Sequence, residues 1–258
     1  MSNGTTSETP KAAKASVALV TGAAQGLGFA IASRLLAAGF KVALTGRELE
    51  GVEAAAAALD PDGENTLALK LDVTVRQDFV TALAAVEARL GTLTAVVNNA
   101  AVTRMTPVLE ITEAEFNEVV TTNLTSVLTS CQVLGKHMAD RGYGRIVNLA
   151  SLAGQNGGTA TGAHYAASKG GIITLTKIFA KEFGPCGVTV NAIAPGPTDS
   201  PLVRGMSEEK TQQVLANIPV RQFGSPDFLG DLVVLLTSPE AAFATGATWD
   251  VNGGLYMR

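Results

Sequence analysis

Short runs of β-branched and apolar residues alternate along this chain with alanine-rich stretches of helical length. That alternation constrains the fold more than any other feature. The runs lie at 17–21 (VALVT), 41–45 (KVALT), 66–72, 93–99, 145–151, 188–195 and 247–253. Between them, 27–39, 48–59, 76–91, roughly 113–141 and 226–238 read as helices, and a further helix carries HYAASKG at 164–170. Strands joined by crossover helices require a parallel sheet covered on both faces. Near-continuous apolar runs such as VALV suit strands buried on both sides. The predicted fold class is α/β: a doubly wound parallel sheet of about seven strands, with helices on both faces, in one domain over 16–258. Residues 1–15 are polar and read as a flexible tail. Residues 198–219 read as a long irregular insert after a strand's carboxyl end, where a lid over a ligand is expected.

Composition narrows the functional classes. The net charge is −4 and no long basic run is present, which argues against a nucleic-acid partner. No 18-residue apolar stretch offers a membrane span. The start lacks the apolar core of a secretory signal. Cys131 and Cys186 form no CxxC pair, and with His137 and His164 they give no zinc-ligand spacing, so no metal is expected. Two unpaired thiols and no signal fit the cytoplasm.

The first strand runs straight into TGAAQGLG (21–28), which opens the first helix. Gly22 suits the tight turn at the strand end. Gly26 lets backbone approach a pyrophosphate, and Gly28 lets the helix pack closely. The helix N-terminus then offers free N–H groups and a positive dipole end to phosphate oxygens. A glycine triplet alone is weak evidence; its place between a strand and a helix makes it strong.

Tyr165 and Lys169 are one helical turn apart, on one face of their helix. The ammonium could make the phenol a better acid, or the two could form an ordinary polar stripe. Ser151 ends the fifth strand, and Asn123 lies within the long helix.

From about residue 16 to the C-terminus the sequence resembles the short-chain dehydrogenase/reductase family. The motifs are TGxxxGxG at 21–28, NNAA at 98–101 for the family's NNAG, Ser151 with YxxxK at 165–169, and PG at 195–196. The resemblance implies a Rossmann-type sheet and an NAD(P)(H)-dependent oxidoreductase interconverting a carbonyl and a secondary alcohol. It implies Asn123, Ser151, Tyr165 and Lys169 as the catalytic set. Tyr165 would give the proton in reduction. Lys169 would lower its pKa and hold the nicotinamide ribose, Ser151 would hydrogen-bond the carbonyl, and Asn123 would position a water. A phenol titrates near ~10 and must fall by roughly 3 units to work at neutral pH.

The same resemblance places Gly22, Gln25, Gly26, Leu27, Gly28, Arg47, Asp72, Val73, Asn99, Ala100, Tyr165, Lys169, Pro195, Gly196, Thr198 and Ser200 against the dinucleotide. Strand two ends in Gly46, where NAD-preferring relatives carry an acid, and Arg47 follows. An arginine can pair with a 2′-phosphate, so NADPH is the expected cofactor, with NADH as the alternative. Gln25 supplies no second positive charge.

Ser151, Gln155, His164, Tyr165, Leu202 and Met206 are the candidate substrate-binding residues. Within the family, NNAAVTR, YAASKGG and the ending DVNGGLYM look most like β-ketoacyl-acyl-carrier-protein reductases. The expected substrate is a small-molecule or thioester-linked ketone, with Arg141, Arg145 and Lys181 as candidate contacts for an acidic carrier protein. A polyol, sugar or cyclic-alcohol dehydrogenase is the alternative. A catalytically silent dinucleotide-binding regulator is the rival from another class, and intact Ser151, Tyr165 and Lys169 weigh against it. A serine hydrolase is disfavoured because LASLAG lacks the first glycine of the nucleophile elbow. A homotetramer is expected, with the long helix, the helix after Gly162 and the last strand in contact.

Overall fold

The computed structural model describes residues 16–158 and 161–258, without the side chains of Pro201 and Leu202. The predicted tail lies outside the described residues. Seven strands form one parallel sheet in the order β3-β2-β1-β4-β5-β6-β7: β1 (Val17–Thr21), β2 (Lys41–Gly46), β3 (Thr66–Lys70), β4 (Leu93–Asn98), β5 (Gly144–Leu149), β6 (Val188–Pro195) and β7 (Thr248–Val251). The predicted strand positions hold, with no end moved by more than two residues. Strand β3 stops two residues short of Asp72 because local bonds replace the ladder there. The Asp72 amide donates to the Asp78 carboxylate, and the Asp72 carboxylate accepts from both the amide and hydroxyl of Thr74.

Helices α1 (Gly26–Ala37), α2 (Leu49–Leu59) and α3 (Arg76–Arg89) connect the first four strands. Helix α1 stops where Gly39 takes φ +86°, and the Phe40 amide bonds back to Leu35 O. The predicted long helix runs without a break in helical character, but it is not regular. Helices α4 (Glu113–Val120), α5 (Ser126–Ser130) and α6 (Lys136–Asp140) are joined by π turns at Thr121–Thr125 and Cys131–Gly135. Next come α7 (Ala153–Asn156), the 21-residue α8 (Ala163–Phe183), α9 (Pro201–Arg204), α10 (Glu208–Asn217) and α11 (Pro226–Thr237).

The insert at 198–219 is therefore helical rather than irregular. Ser207 caps α10 by accepting from the Lys210 amide, and Glu208 and Glu209 occupy its first turn. A capping serine followed by acids favours a helix start.

Two apolar layers enclose the sheet. Ile31 and Leu35 of α1, Val52 of α2, and Leu229 and Val233 of α11 pack on one face. Phe79 and Val86 of α3, Val127, Leu134 and Met138 of the long helix, and Ile172 and Phe179 of α8 pack on the other. Burying each such side chain contributes about 1.5–3 kcal/mol. Strand order reverses between β1 and β4, so their carboxyl ends flank the crevice where a doubly wound sheet binds ligands.

Candidate active site

A cleft of about 800 Å³ opens at that crevice. It gathers Gly22, Gln25, Gly26, Leu27, Gly28, Arg47, Asp72, Val73, Asn99 and Ala100, ten of the residues expected to hold the dinucleotide. Gly22 and Gly26 have φ +65° and +59°. A Cβ on Gly26 would meet nothing within 4 Å, so its open side faces space a phosphate can occupy. Gly28 lets the start of α1 pack closely on the ends of β1 and β4. A Cβ there would lie 2.2 Å from Gly22 O and 2.6 Å from Asn99 Nδ2, so its bareness lets the turn fold onto the end of β4.

Asn99 holds that turn. Its Nδ2 donates to Thr21 O (2.9 Å) and Gly22 O (3.1 Å), while its amide and that of Ala100 donate to Thr21 Oγ1. The first turn of α1 contains no acidic residue, and its N-cap Gln25 makes no side-chain capping bond. The glycine cradle, the uncapped helix start and the cleft volume together fit a dinucleotide pyrophosphate.

Arg47 is exposed on the cleft wall. The Asp72 carboxyl is held below its usual range, chiefly by the Thr74 amide against a smaller opposing effect of burial, with Arg47 and Lys70 adding to the fall. Sequence reasoning missed Ala24, Glu48, Gly51, Thr74, Glu118 and Thr122 in the same cleft. The D-x-T spacing of Asp72 and Thr74 was a readable signal for an Asx-type turn.

Of the proposed catalytic residues, Ser151 and Lys169 lie at the carboxyl end of β5, while Asn123 is bonded to Val102 beyond β4. Ser151 follows β5, and its Oγ accepts from the Ala153 amide at 3.1 Å. Tyr165 and Lys169 share a face of α8, with Lys169 Nζ 5.6 Å from the Tyr165 ring centroid. Lys169 is 3% exposed and donates to Leu149 O at 2.6 Å. Burial pushes its pKa down to about 8. In this arrangement burial and Ser151, not Lys169, account for the shift of the Tyr165 phenol. Burial pushes Tyr165 up, and the neighbouring Ser151 hydroxyl opposes it. Lys169 spends its charge on a backbone carbonyl instead.

Asn123 sits in the first π turn and is fully buried. Its Oδ1 accepts from the Val102 amide (2.8 Å), and its Nδ2 donates to Val102 O (2.9 Å) and Ser168 Oγ (3.2 Å). The side chain thus pins the segment after β4 to α8, with both of its N–H donors committed. Π turns recur at functional positions because they redirect such groups. A second buried chain, also missed, runs Asn98 to Asn148 (2.8 Å) to Thr176 (2.9 Å) and ties β4 and β5 to α8.

Pro195 and Gly196 begin a strap beyond β6. The Leu152 amide donates to Pro195 O, and the Gly196 amide to Val251 O. Thr198 Oγ1 bonds Gly196 O, Ser200 Oγ accepts from the Val203 amide, and Thr198 pairs with Gly224. Beside the strap a smaller hollow of about 360 Å³ is lined by Pro197, Ile218, Val220, Phe223, Phe228 and Val251, apart from Tyr165.

Three expectations about substrate and partner need correction. His164 does not line the site: it is fully buried, with Nε2 2.9 Å from Glu115 Oε1. Gln155 turns away to the Asp250 carboxylate near the C-terminus. Arg145 is 3% exposed, bonded to the carbonyls of Ser238, Gly144, Gly187 and Pro239, and cannot greet a carrier protein. Arg141 is paired with Glu87 and Lys181 is exposed. Met206 is half-buried at the end of the α9 turn, and the Leu202 side chain lies outside the described residues.

Comparison with known proteins bears on the same residues. Residues 22–256 match the family model described as enoyl-(acyl carrier protein) reductase. The chain is 37% identical over 241 residues to a 3-oxoacyl-(acyl-carrier-protein) reductase of Vibrio cholerae, covering 93% of this chain and 97% of that one. It is 40% identical over 242 residues to an acetoacetyl-CoA reductase of Rhizobium meliloti, covering 93% and 98%. The structure of a putative gluconate dehydrogenase from Agrobacterium tumefaciens superposes with a TM-score of 0.87 at 32% identity, covering 93% and 95%. Glycine cradle, dinucleotide cleft, Ser-Tyr-Lys cluster and full-length matches converge: the chain belongs to the short-chain dehydrogenase/reductase family and is a nicotinamide-dependent oxidoreductase of the ketoreductase type.

Proposed function

We propose that the chain reduces the ketone of a β-ketoacyl thioester to a secondary alcohol with NADPH. The observation that carries this reading is Tyr165 with buried Lys169 beside its ring, in a fold whose glycine turn opens a dinucleotide-sized cleft. Bound in that cleft, the cofactor supplies hydride to the carbonyl carbon. Tyr165 gives its proton to the carbonyl oxygen, and Ser151 donates a hydrogen bond to that oxygen as charge develops there. Asn123 and Asn99 keep the cleft wall and the glycine turn in register, which preserves the approach geometry. Thr198 and Ser200, on the strap, would hold the cofactor's carboxamide. Helices α9 and α10 form the roof, with Val203 and Met206 as apolar contacts.

NADPH is favoured by Gly46 and Arg47: no carboxylate at the end of β2 repels a 2′-phosphate, and the guanidinium is free to pair with it. With Arg145 buried and Arg141 paired with Glu87, few of the basic residues expected to meet an acidic carrier remain free, which favours a coenzyme A thioester over an acyl carrier protein. Among the described residues no helix is long and apolar enough to cross a membrane, in keeping with a cytoplasmic enzyme. The exposed apolar residues Phe116 on α4 and Ile178 on α8 suit burial between subunits of a homotetramer.

The test is turnover of acetoacetyl-CoA, an acetoacetyl carrier protein and a cyclic ketone with NADPH and NADH, and of a sugar acid with the oxidised cofactors NADP and NAD. The reading expects the highest kcat/KM for acetoacetyl-CoA with NADPH. Faster oxidation of a sugar acid with NAD would favour the dehydrogenase alternative. No turnover on any substrate would favour the regulator.

A further inference from the structure

Helix α8 begins without a side-chain cap. Its N-cap is Gly162, which has no side chain, and Tyr165 lies only three residues on, inside the first turn. Helix first turns fray unless their N–H groups or side chains are tied down. Here the tie comes from His164, the residue before Tyr165. It is fully buried, and its Nε2 meets Glu115 Oε1 of α4 at 2.9 Å. Thr106 Oγ1 donates to that same oxygen at 2.6 Å. Gly162 leaves room for the ring: a Cβ there would lie 2.2 Å from His164 Cε1. The Gly162 amide bonds Arg104 O, so the segment 104–106 and the start of α8 are joined twice.

We propose that His164, acting through Glu115, is a positioning residue for Tyr165. The inference rests on the reading of Tyr165 as proton donor. The clamp fixes the first turn of α8 against α4, and so fixes where the phenol points. It acts at the end of α8 opposite the Asn148–Thr176 bond, and each anchor restrains one part of the helix.

The test compares His164→Leu, His164→Gln, Glu115→Ala and Tyr165→Phe in the holoenzyme, with cofactor affinity and the melting temperature measured for each. A glutamine amide can replace Nε2 as donor to Glu115, whereas leucine cannot. His164→Leu should lower kcat about tenfold or more, while KM and cofactor affinity change by less than about twofold. His164→Gln should restore most of kcat. In the Tyr165→Phe background, His164→Leu should cost nothing further. Should His164→Leu fail to fold, Glu115→Ala carries the test and should show the same loss in kcat alone. Wild-type kcat in either folded variant, or equal loss in His164→Gln and His164→Leu, overturns the clamp while leaving Tyr165 as donor. Retained turnover in Tyr165→Phe overturns both.

Discussion

Lys169 Nζ lies 5.6 Å from the Tyr165 ring centroid, yet its hydrogen bond goes to the Leu149 carbonyl, 2.6 Å away. The ammonium thus has a backbone partner as well as the phenol's ring beside it. In this state burial dominates both groups, lowering the lysine to about 8 and raising the tyrosine.

The lysine makes stability depend on pH with a definite sign. Its folded pKa is below the unfolded value of about 10.4. The unfolded chain therefore binds more protons between pH 8 and 10.4, and stability from this group rises with pH across that window. The cost of the buried ammonium is fully present below pH 8. It amounts to about 3 kcal/mol at most, less what the Leu149 bond returns. Lys169→Met removes the cost. Urea unfolding at pH 7 and pH 10 should show the variant's advantage shrinking at the higher pH.

Tyr165 should resist ionisation in the free protein. Ultraviolet titration of wild type against Tyr165→Phe should assign it an apparent pKa above 10, the ordinary phenol value. In Ser151→Ala the value should rise further, because the neighbouring hydroxyl that opposes the effect of burial is lost. A fall in that variant would contradict the assignment.

Gly28→Ala should disable the cleft. The added methyl would meet Gly22 O at 2.2 Å, and backbone cannot move away cheaply. Overpacking of this kind costs about 1–3 kcal/mol. Fluorescence titration should show cofactor binding lost more than overall stability. Gly26→Ala, in open space but at φ +59°, should be milder in the free protein.

Arg47→Ala should separate the two dinucleotides. Losing a charge-assisted contact costs about 1.5–3 kcal/mol, or roughly 10–100-fold. The loss should fall on NADPH and leave NADH nearly unchanged, measured as kcat/KM. Equal loss for both would remove Arg47 from the reading.

Much of this was legible beforehand because it depends on local spacing. Strand positions follow from apolar runs, and the glycine turn from three residues between a strand and a helix. Tyr165 and Lys169 share a face through helical periodicity. What stayed hidden depends on contacts distant in sequence. Asn98 meets Asn148, and His164 meets Glu115, across gaps of 50 and 49 residues that no window spans. Arg145 looked like surface charge because its acceptors, the carbonyls of Ser238 and Pro239, come from the far end of the chain. The helix α10 was readable from Ser207 and the acids after it, but proximity to prolines and glycines masked the cap. The π turns around Asn123 have no sequence signature of their own.

The most direct measurement is NADPH consumption with acetoacetyl-CoA by wild type and Tyr165→Phe, beside cofactor affinity for both. The account predicts that the variant binds the cofactor as wild type does and loses about 10²–10⁴-fold in kcat. Turnover near the wild-type rate in a folded, cofactor-binding Tyr165→Phe protein would contradict it.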